Sequence, residues 1–269
     1  MEREVDLLLH ELFDKNPYTR HGVTIQSDDC IVDLGANMGL FSLWCTQQAE
    51  RLKIYACEPI PPLCQLVEEN LRDQTSHQIH IEPRGIGLQP SVQTFSFFPK
   101  ATACSTMYGR DTIEKMPTLY SDTQMSLSDL WSIHKGAFMV GLLCGPIFKY
   151  IRPWAIRTLL SNALSREERY SCEVCNLSDL FEMWSLDKID LLKLDVQGAE
   201  ADILLGVRDE HWPNISQVAL EVNTFLGRSN EINIVSLLEA KGFKVIRDES
   251  PEIAAPGSYF IYALNQRHS

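Results

Sequence analysis

Positive charge is scarce in this sequence. Its 269 residues include 24 Lys and Arg against 36 Asp and Glu, which gives a formal net charge of −12. Affinity for nucleic acid depends on concentrated positive charge, so we expect no nucleic-acid partner. One window departs from this balance: residues 149–169 hold five basic and two acidic side chains. That window favours either a solvated helix face or a docking place for one anionic partner.

Long hydrophobic runs are also missing. The most apolar stretch, residues 137–151, is interrupted by two Gly, one Pro and one Lys. It is shorter than the roughly 20 residues that a membrane span needs. Residues 1–6 are mostly charged and are followed by a run of three Leu, which does not match the apolar region of a secretory signal. We therefore expect a cytoplasmic protein that does not contact a membrane.

The cysteines do not form a complete metal-binding pattern. There are eight of them, and Cys30 and Cys57 fall in apolar runs, as is typical of reduced core thiols. Cys172 and Cys175 form a single Cys-x-x-Cys with no second pair and no nearby His. We expect free thiols there, with a zinc site as the less favoured alternative.

What the sequence does contain is a repeating alternation of strand and helix patterns. Hydrophobic residues make up 45% of the chain and charged residues 22%, as in ordinary globular proteins. From residue 30 onward, short apolar runs alternate with helical stretches, which predicts a parallel α/β sheet. The expected strands are 30–34, 53–57, 79–85, 190–195, 217–222, 244–248 and 259–263. The expected helices are 40–49, 62–72, 177–184, 199–205 and 231–241.

Two regions fall outside this alternation, although we expect residues 1–269 to form a single domain. Residues 1–20 predict an N-terminal amphipathic helical segment. Residues 99–171 follow an extra strand at 92–98 and are too long for a plain loop. We interpret them as a mainly helical insertion between the third and fourth sheet strands. Its large apolar side chains either pack onto the body of the protein or form a lid over a hydrophobic acceptor.

The most informative segment is the turn after the first strand. An apolar strand ends at Asp33, Gly35 and Gly39 make a tight turn, and a helix begins at once. Ligands in such sheets lie beyond the carboxyl ends of the strands. A dinucleotide site needs Gly-x-Gly-x-x-Gly, but Asn37 occupies the middle glycine position here. The glycines alone would also suit a purely structural connection.

A carboxylate at the end of the second strand identifies the ligand more closely. Glu58 follows Gly35 by 23 residues, where an acidic side chain can accept hydrogen bonds from ribose hydroxyls. Together, the turn and Glu58 predict an adenosine site without a diphosphate, which indicates S-adenosylmethionine. The cofactor-binding residues that we expect are Asp33, Gly35, Ala36, Asn37, Gly39, Glu58 and Pro59.

Three blocks of the sequence resemble the FkbM-type methyltransferases. They are residues 32–39, 57–59 and 189–200, and the third carries the Lys-x-Asp-x-x-Gly-x-Glu pattern, in which Gln197 stands where many relatives have Glu. Residues 209–222 are similar to O-methyltransferase domains of polyketide and nonribosomal peptide synthases. The resemblance spans about residues 16–263. It implies a class I methyltransferase (Rossmann-like) fold, with a seven-stranded sheet in the order 3-2-1-4-5-7-6 and the last strand antiparallel.

The residues that could carry the transfer lie at the ends of the fourth and fifth strands. Asp195 and Glu221 are candidate bases for removing a hydroxyl proton. Asn223 stands where synthase relatives often have His, and it cannot accept a proton at neutral pH. A base could therefore be Asp195, Glu221 or His134 from the insertion. Alternatively, Asp195, Glu221 and Asn223 could hold a divalent cation such as Mg²⁺. Asp195 also has a structural alternative, as a support of the following turn.

These observations favour an S-adenosylmethionine-dependent O-methyltransferase. The resemblance implies a hydroxyl or enol of a polyketide or peptide intermediate as the acceptor, a hydroxy-acyl group held on an acyl or peptidyl carrier protein. The alternatives are a metal-assisted O-methyltransferase that acts on a free small molecule and a catalytically degenerate methyltransferase-like scaffold.

Overall fold

A computed structural model of the protein describes residues 5, 9, 11–108, 162, 164–224, 232–254 and 257–267. Its strands are β1 (Cys30–Leu34), β2 (Lys53–Cys57), β3 (Gln78–Glu82), β4 (Gly85–Ile86), β5 (Ser91–Phe97), β6 (Glu168–Cys175), β7 (Ile189–Leu194), β8 (Ile215–Asn223), β9 (Phe243–Asp248) and β10 (Ser258–Asn265). Its α-helices are α1 (Leu40–Cys45), α2 (Pro61–Leu71), α3 (Leu177–Met183), α4 (Glu200–Leu205) and α5 (Ile234–Ala240).

Seven strands form the main sheet, in the order β3-β2-β1-β7-β8-β10-β9. Strand β10 runs antiparallel to both of its neighbours, and β1, β2, β3, β7 and β8 pair in parallel. Numbered within the sheet, this order is 3-2-1-4-5-7-6. The predicted class I methyltransferase fold is therefore confirmed, including the antiparallel last strand.

The central strands are apolar on both sides because helices and loops cover both faces of the sheet. All five residues of β1 are buried. Val32 and Leu34 pack into the core cluster on one face, and Ile31 packs into the cluster on the other. Continuous apolar runs are what a parallel sheet buried on both faces requires, and this is why the sequence identifies these strands well.

A second sheet of three strands was not predicted. Its order is β4-β6-β5, with β6 antiparallel to β5 and parallel to β4. Strand β5 corresponds to the extra strand expected at 92–98, and β6 begins inside the segment that we assigned to the lid. Residues 109–161 of that segment lie outside the described residues, as does His134.

The cysteines of this second sheet are strand residues with free thiols. Cys172 and Cys175 both lie in β6, and both are buried and unbonded. Because they are three residues apart in a strand, their side chains leave opposite faces. The expectation of free thiols is confirmed for this pair.

Among the described residues, no helix is long and apolar enough to cross a membrane.

The segment before β1 is tied to the far half of the main sheet. A π-helical turn, Glu11–Lys15, leads into an extended stretch. Tyr262 on β10 donates a hydrogen bond to the carbonyl of Pro17. The backbone N–H of Thr24 donates to Oε1 of Gln217 on β8 at 2.8 Å. These contacts place the segment against β8 and β10, with Thr24 near the amino end of β8.

Candidate active site

A cleft opens at the carboxyl ends of β1, β2 and β7. Its empty volume is about 1190 Å³, including the part that is open to solvent. Five of the seven predicted cofactor residues line it, namely Gly35, Ala36, Asn37, Glu58 and Pro59. The two proposed bases that the structure describes, Asp195 and Glu221, line the same cleft. Ligands of open α/β sheets bind at this edge, so the cleft is the candidate active site.

The glycine turn is shaped by packing within the chain. The N–H groups of Gly35 and Ala36 both donate to the carbonyl of Cys57, at 3.1 and 3.0 Å, which joins the ends of β1 and β2. Gly35 has a φ of +77°, and a Cβ there would lie 2.0 Å from the carbonyl oxygen of Asp195. Glycine is therefore required for the approach of β7. At Gly35 this is the structural connection that the sequence left open as an alternative.

Asp33 supports this turn from below. It is 0% exposed; its Oδ1 lies 2.9 Å from Nζ of Lys193, and its Oδ2 accepts from the Ser42 hydroxyl at 2.7 Å. Lys193 also donates to the carbonyl of Gly35 at 2.9 Å. The carboxylate thus neutralises a buried ammonium group that holds the turn. Asp33 does not line the cleft, so the direct cofactor contact predicted for it is replaced by a supporting role.

Glu58 is the buried acceptor of the cleft. It is 4% exposed; its Oε2 accepts from the N–H of Asn37 at 2.9 Å and its Oε1 from the N–H of Ile60 at 3.0 Å. A carboxylate offers about four acceptor sites, so it retains capacity for further donors. Burial raises the pKa of Glu58 to about 7, against the lowering effect of the two N–H groups. A buried carboxylate with unused acceptor capacity fits the paired hydroxyls of a ribose.

Apolar side chains complete the Glu58 side of the cleft. Ile60, Leu63, Ile86 and Phe95 line it. A flat, largely apolar ring system would be desolvated well by such walls. Together with Glu58, this lining fits the adenosine part of S-adenosylmethionine.

The opposite side of the cleft carries a row of hydrogen-bonded polar groups. Oδ2 of Asp195 accepts from the Tyr18 hydroxyl at 3.1 Å, and Oδ1 accepts from Nε2 of Gln197 at 3.0 Å. Nδ2 of Asn223 in turn donates to Oε1 of Gln197 at 3.4 Å. Asn223 is buried and does not line the cleft. The sequence predicted Asp195, Glu221 and Asn223 together, but only the first two face the ligand space.

A metal centre finds little support in this arrangement. In the ranges that the structure describes, no three His, Cys, Asp or Glu side chains are grouped so as to hold a metal ion. Of the three proposed oxygen donors, Asn223 is buried and does not line the cleft, and both oxygens of Asp195 already accept hydrogen bonds.

A short loop after β5 crosses the cleft. Oγ1 of Thr102 donates to Oδ1 of Asn37, and Oγ1 of Thr106 donates to the carbonyl of Gln197, both at 2.9 Å. The loop therefore joins the glycine turn of β1 to the turn after β7. Sequence reasoning missed Thr102, since nothing in the local pattern reveals a partner more than 60 residues away.

Comparison with known proteins identifies the family. The profile of the methyltransferase FkbM domain matches residues 33–245. The chain is 27% identical to the 31-O-demethyl-FK506 methyltransferase FkbM of Streptomyces tacrolimicus, over 93% of this chain and 86% of that protein. It is 27% identical to Methyltransferase 1 of Beauveria bassiana, over 94% and 86% of the two chains.

A much longer relative also matches. The chain is 30% identical to the AMB antimetabolite synthetase AmbE of Pseudomonas aeruginosa, over 97% of this chain but only 12% of that protein. This chain thus corresponds to a small part of the synthetase. The family profile covers most of the chain, the sheet order is that of a class I methyltransferase, and the predicted resemblance is confirmed: the chain belongs to the FkbM methyltransferase family.

Proposed function

We propose that this protein is an S-adenosylmethionine-dependent O-methyltransferase. The observation that carries the proposal is the placement of two carboxylates, Glu58 after β2 and Asp195 after β7, in one cleft at the carboxyl edge of the sheet, on either side of β1. The first suits a ribose, and the second suits the proton of an acceptor hydroxyl. Membership of a methyltransferase family supports the same reading.

The residues that would hold the cofactor are those on the Glu58 side. Glu58 would accept hydrogen bonds from the ribose hydroxyls, the turn 35–37 would pass alongside the nucleoside, and Ile60 and Leu63 would pack against the adenine. When bound, the cofactor would supply a methyl group on a sulfonium, which leaves the protein the task of aligning an acceptor in line with it.

The acceptor would lie on the Asp195 side. A hydroxyl oxygen that takes up a methyl group must lose its proton, and a carboxylate within hydrogen-bond reach can receive it. Asp195 is the candidate that we favour, and two hydrogen bonds fix its orientation. Glu221 lines the same space and is the second candidate.

We further propose that the acceptor is a hydroxyl or enol of a polyketide- or peptide-type intermediate held on a carrier protein. The relatives support this: one is named for a demethyl-FK506 substrate, and another is a synthetase that contains a matching stretch. The basic window contributes less than its composition suggests. At its described end, Arg166 pairs with Glu168 and Arg169 pairs with Glu167.

Cofactor binding is the first test. Calorimetry with S-adenosylmethionine is expected to show one site in the unaltered protein and at least tenfold weaker binding in Glu58→Gln, because hydrogen bonds to a charged acceptor are worth about 1.5–3 kcal/mol. Glu68→Gln makes the same change on an exposed face of helix α2 and should bind as the unaltered protein does. Absence of measurable S-adenosylmethionine binding by the unaltered protein would contradict the proposal.

Methyl transfer is the second test. Hydroxyacyl groups loaded on a carrier protein, and the same groups as free acids, are incubated with the protein and cofactor and then examined by mass spectrometry for the gain of one methyl group. Asp195→Asn should keep cofactor binding and lose most of the transfer. Loss of activity when a chelator is added would favour the metal-assisted alternative. Methylation of the free acids but not of the carrier-bound groups would contradict the proposal of a carrier-held acceptor.

A further inference from the structure

Tyr18 joins the N-terminal segment to the reactive side of the cleft. Its hydroxyl donates to Oδ2 of Asp195 at 3.1 Å, across 177 residues of sequence. Tyr18 is 6% exposed and lines the cleft. It lies outside residues 33–245, which match the family profile, so the family assignment gives it no role.

The ring of Tyr18 has little freedom to move. It packs edge-on against Phe41 of helix α1, with ring centres 5.1 Å apart, and against Phe260 of β10, with centres 5.6 Å apart. The ammonium group of Lys193 lies 5.6 Å from its ring centre. Aromatic contacts of this geometry are favourable, and they hold the hydroxyl at Asp195.

The carboxylate of Asp195 is therefore held from both sides. Tyr18 donates to one oxygen, and Gln197 donates to the other at 3.0 Å. Gln197 is itself fixed, because its backbone carbonyl accepts from Thr106 and its side-chain oxygen accepts from Asn223. The Tyr18 hydroxyl acts here as a hydrogen-bond donor to a carboxylate. It can orient the carboxylate, but it is not a base.

We propose that Tyr18 is a positioning residue for the methyl transfer: its hydroxyl fixes the Asp195 carboxylate in the orientation that receives the proton of the acceptor. This inference rests on the proposed function of Asp195 as the proton acceptor. It makes the N-terminal segment a part of the catalytic unit, and it predicts an effect on turnover rather than on cofactor affinity.

Tyr18→Phe removes the hydroxyl and keeps the packing of the ring. Loss of one hydrogen bond to a charged group should lower kcat about 10- to 100-fold, with the affinity for S-adenosylmethionine within threefold of the unaltered protein by calorimetry. The matched control is Tyr262→Phe. It also removes a buried hydroxyl, one that anchors Pro17 in the same segment, but Tyr262 is bonded to a backbone carbonyl and not to Asp195. It should change kcat less than threefold.

A second measurement does not require an acceptor. In crystal structures of the two variants, Asp195 should leave its present orientation in Tyr18→Phe and keep it in Tyr262→Phe. An unmoved Asp195 in Tyr18→Phe would overturn the inference, as would equal losses of kcat in both variants, since equal losses would indicate a general loosening of the segment. If the unaltered protein binds no cofactor, the proposed function fails, whereas the comparison of Asp195 orientations still decides the role of Tyr18.

Discussion

Two buried charges of opposite sign, on Lys193 and Glu58, meet different surroundings in this protein. Lys193 is 3% exposed; burial lowers its pKa, but the charges of Asp33 and Asp195 outweigh that effect and raise it. Glu58 is similarly buried, but within the described ranges its hydrogen bonds come from two backbone N–H groups, and burial raises its pKa to about 7. The lysine is thus kept charged by its partners, whereas the glutamate remains open to a ligand that donates hydrogen bonds.

The raised pKa of Glu58 makes the stability of the cofactor-free protein depend on pH. The folded state holds the proton up to about pH 7, while the unfolded state releases it near 4.5. Protonated Glu58 contributes roughly 3 kcal/mol to the free energy of unfolding. This contribution is fully present below pH 4.5 and is lost as the pH rises through 7. Glu58→Gln cannot ionise. Its free energy of unfolding relative to the unaltered protein should rise by that amount between pH 4.5 and 8, measured by urea denaturation.

Only the pH dependence of this difference is diagnostic. Asn37 and Ile60 donate to different oxygens of Glu58, and a glutamine would place an NH₂ group against one of these N–H groups. A constant offset between the two proteins is therefore expected at every pH. Two curves that stay parallel from pH 4.5 to 8 would contradict the prediction. The same experiment with saturating S-adenosylmethionine should show a smaller slope, because ribose hydroxyls favour the ionised carboxylate.

Residue roles could be predicted from the sequence where they depend on a local pattern. Glu58 and Asp195 each follow an apolar strand directly, so their place at the carboxyl edge follows from the strand itself. Tyr18 gives no such signal, because its partner is 177 residues away. Asp33 illustrates a different limit. The strand pattern places it correctly, but whether its carboxylate meets a ligand or Lys193 is decided by a contact across the sheet.

At the scale of secondary structure, the sequence located the strands of the main sheet and β5, but not β6. Strands β5 and β6 alternate between buried and exposed residues; Val92 on β5, for example, is 66% exposed. Seventy residues separate the two strands in the chain, so no local sequence pattern predicts that they pair. The three-stranded sheet therefore needed tertiary information, whereas the order of the main sheet followed from the family resemblance.

The turn between β1 and α1 makes a prediction about packing. Gly35→Ala should destabilise the protein by about 3–5 kcal/mol, since it adds the strain of a positive φ to a clash with the backbone of Asp195. Cofactor binding should fall with it, because the clash pushes the end of β1 away from β7 at the edge of the cleft. Chemical denaturation and calorimetry measure the two effects.

Gly242 provides the matched control for this substitution. It also has a positive φ, +93°, but a Cβ there would meet nothing within 4 Å. Gly242→Ala should therefore cost only the backbone strain, about 1–2 kcal/mol, and leave cofactor binding intact. Equal costs at the two positions would show that the close approach of β7 to Gly35 contributes nothing.

For the molecule as a whole, the functional unit is larger than the part that matches the family profile. Residues 33–245 run from the end of β1 into β9 but leave out the N-terminal segment and β10. The N-terminal segment packs on one face of the main sheet, where Leu12 and Tyr18 share a core cluster with Phe260 of β10. Leu12 and Tyr18 also line the cleft.

Removal of residues 1–20 tests whether this segment belongs to the folded unit. The deletion takes away the buried side chains of Leu12 and Tyr18 and exposes Phe41 and Phe260, which pack against Tyr18. Loss of two large core side chains should cost about 4 kcal/mol or more, which lowers the melting temperature by roughly 10 °C in a chain of this size. Removal of residues 1–10 leaves both side chains in place and should cost clearly less. If both shortened proteins have the same melting temperature in calorimetry as the unshortened protein, the segment does not contribute to the stability of the folded unit.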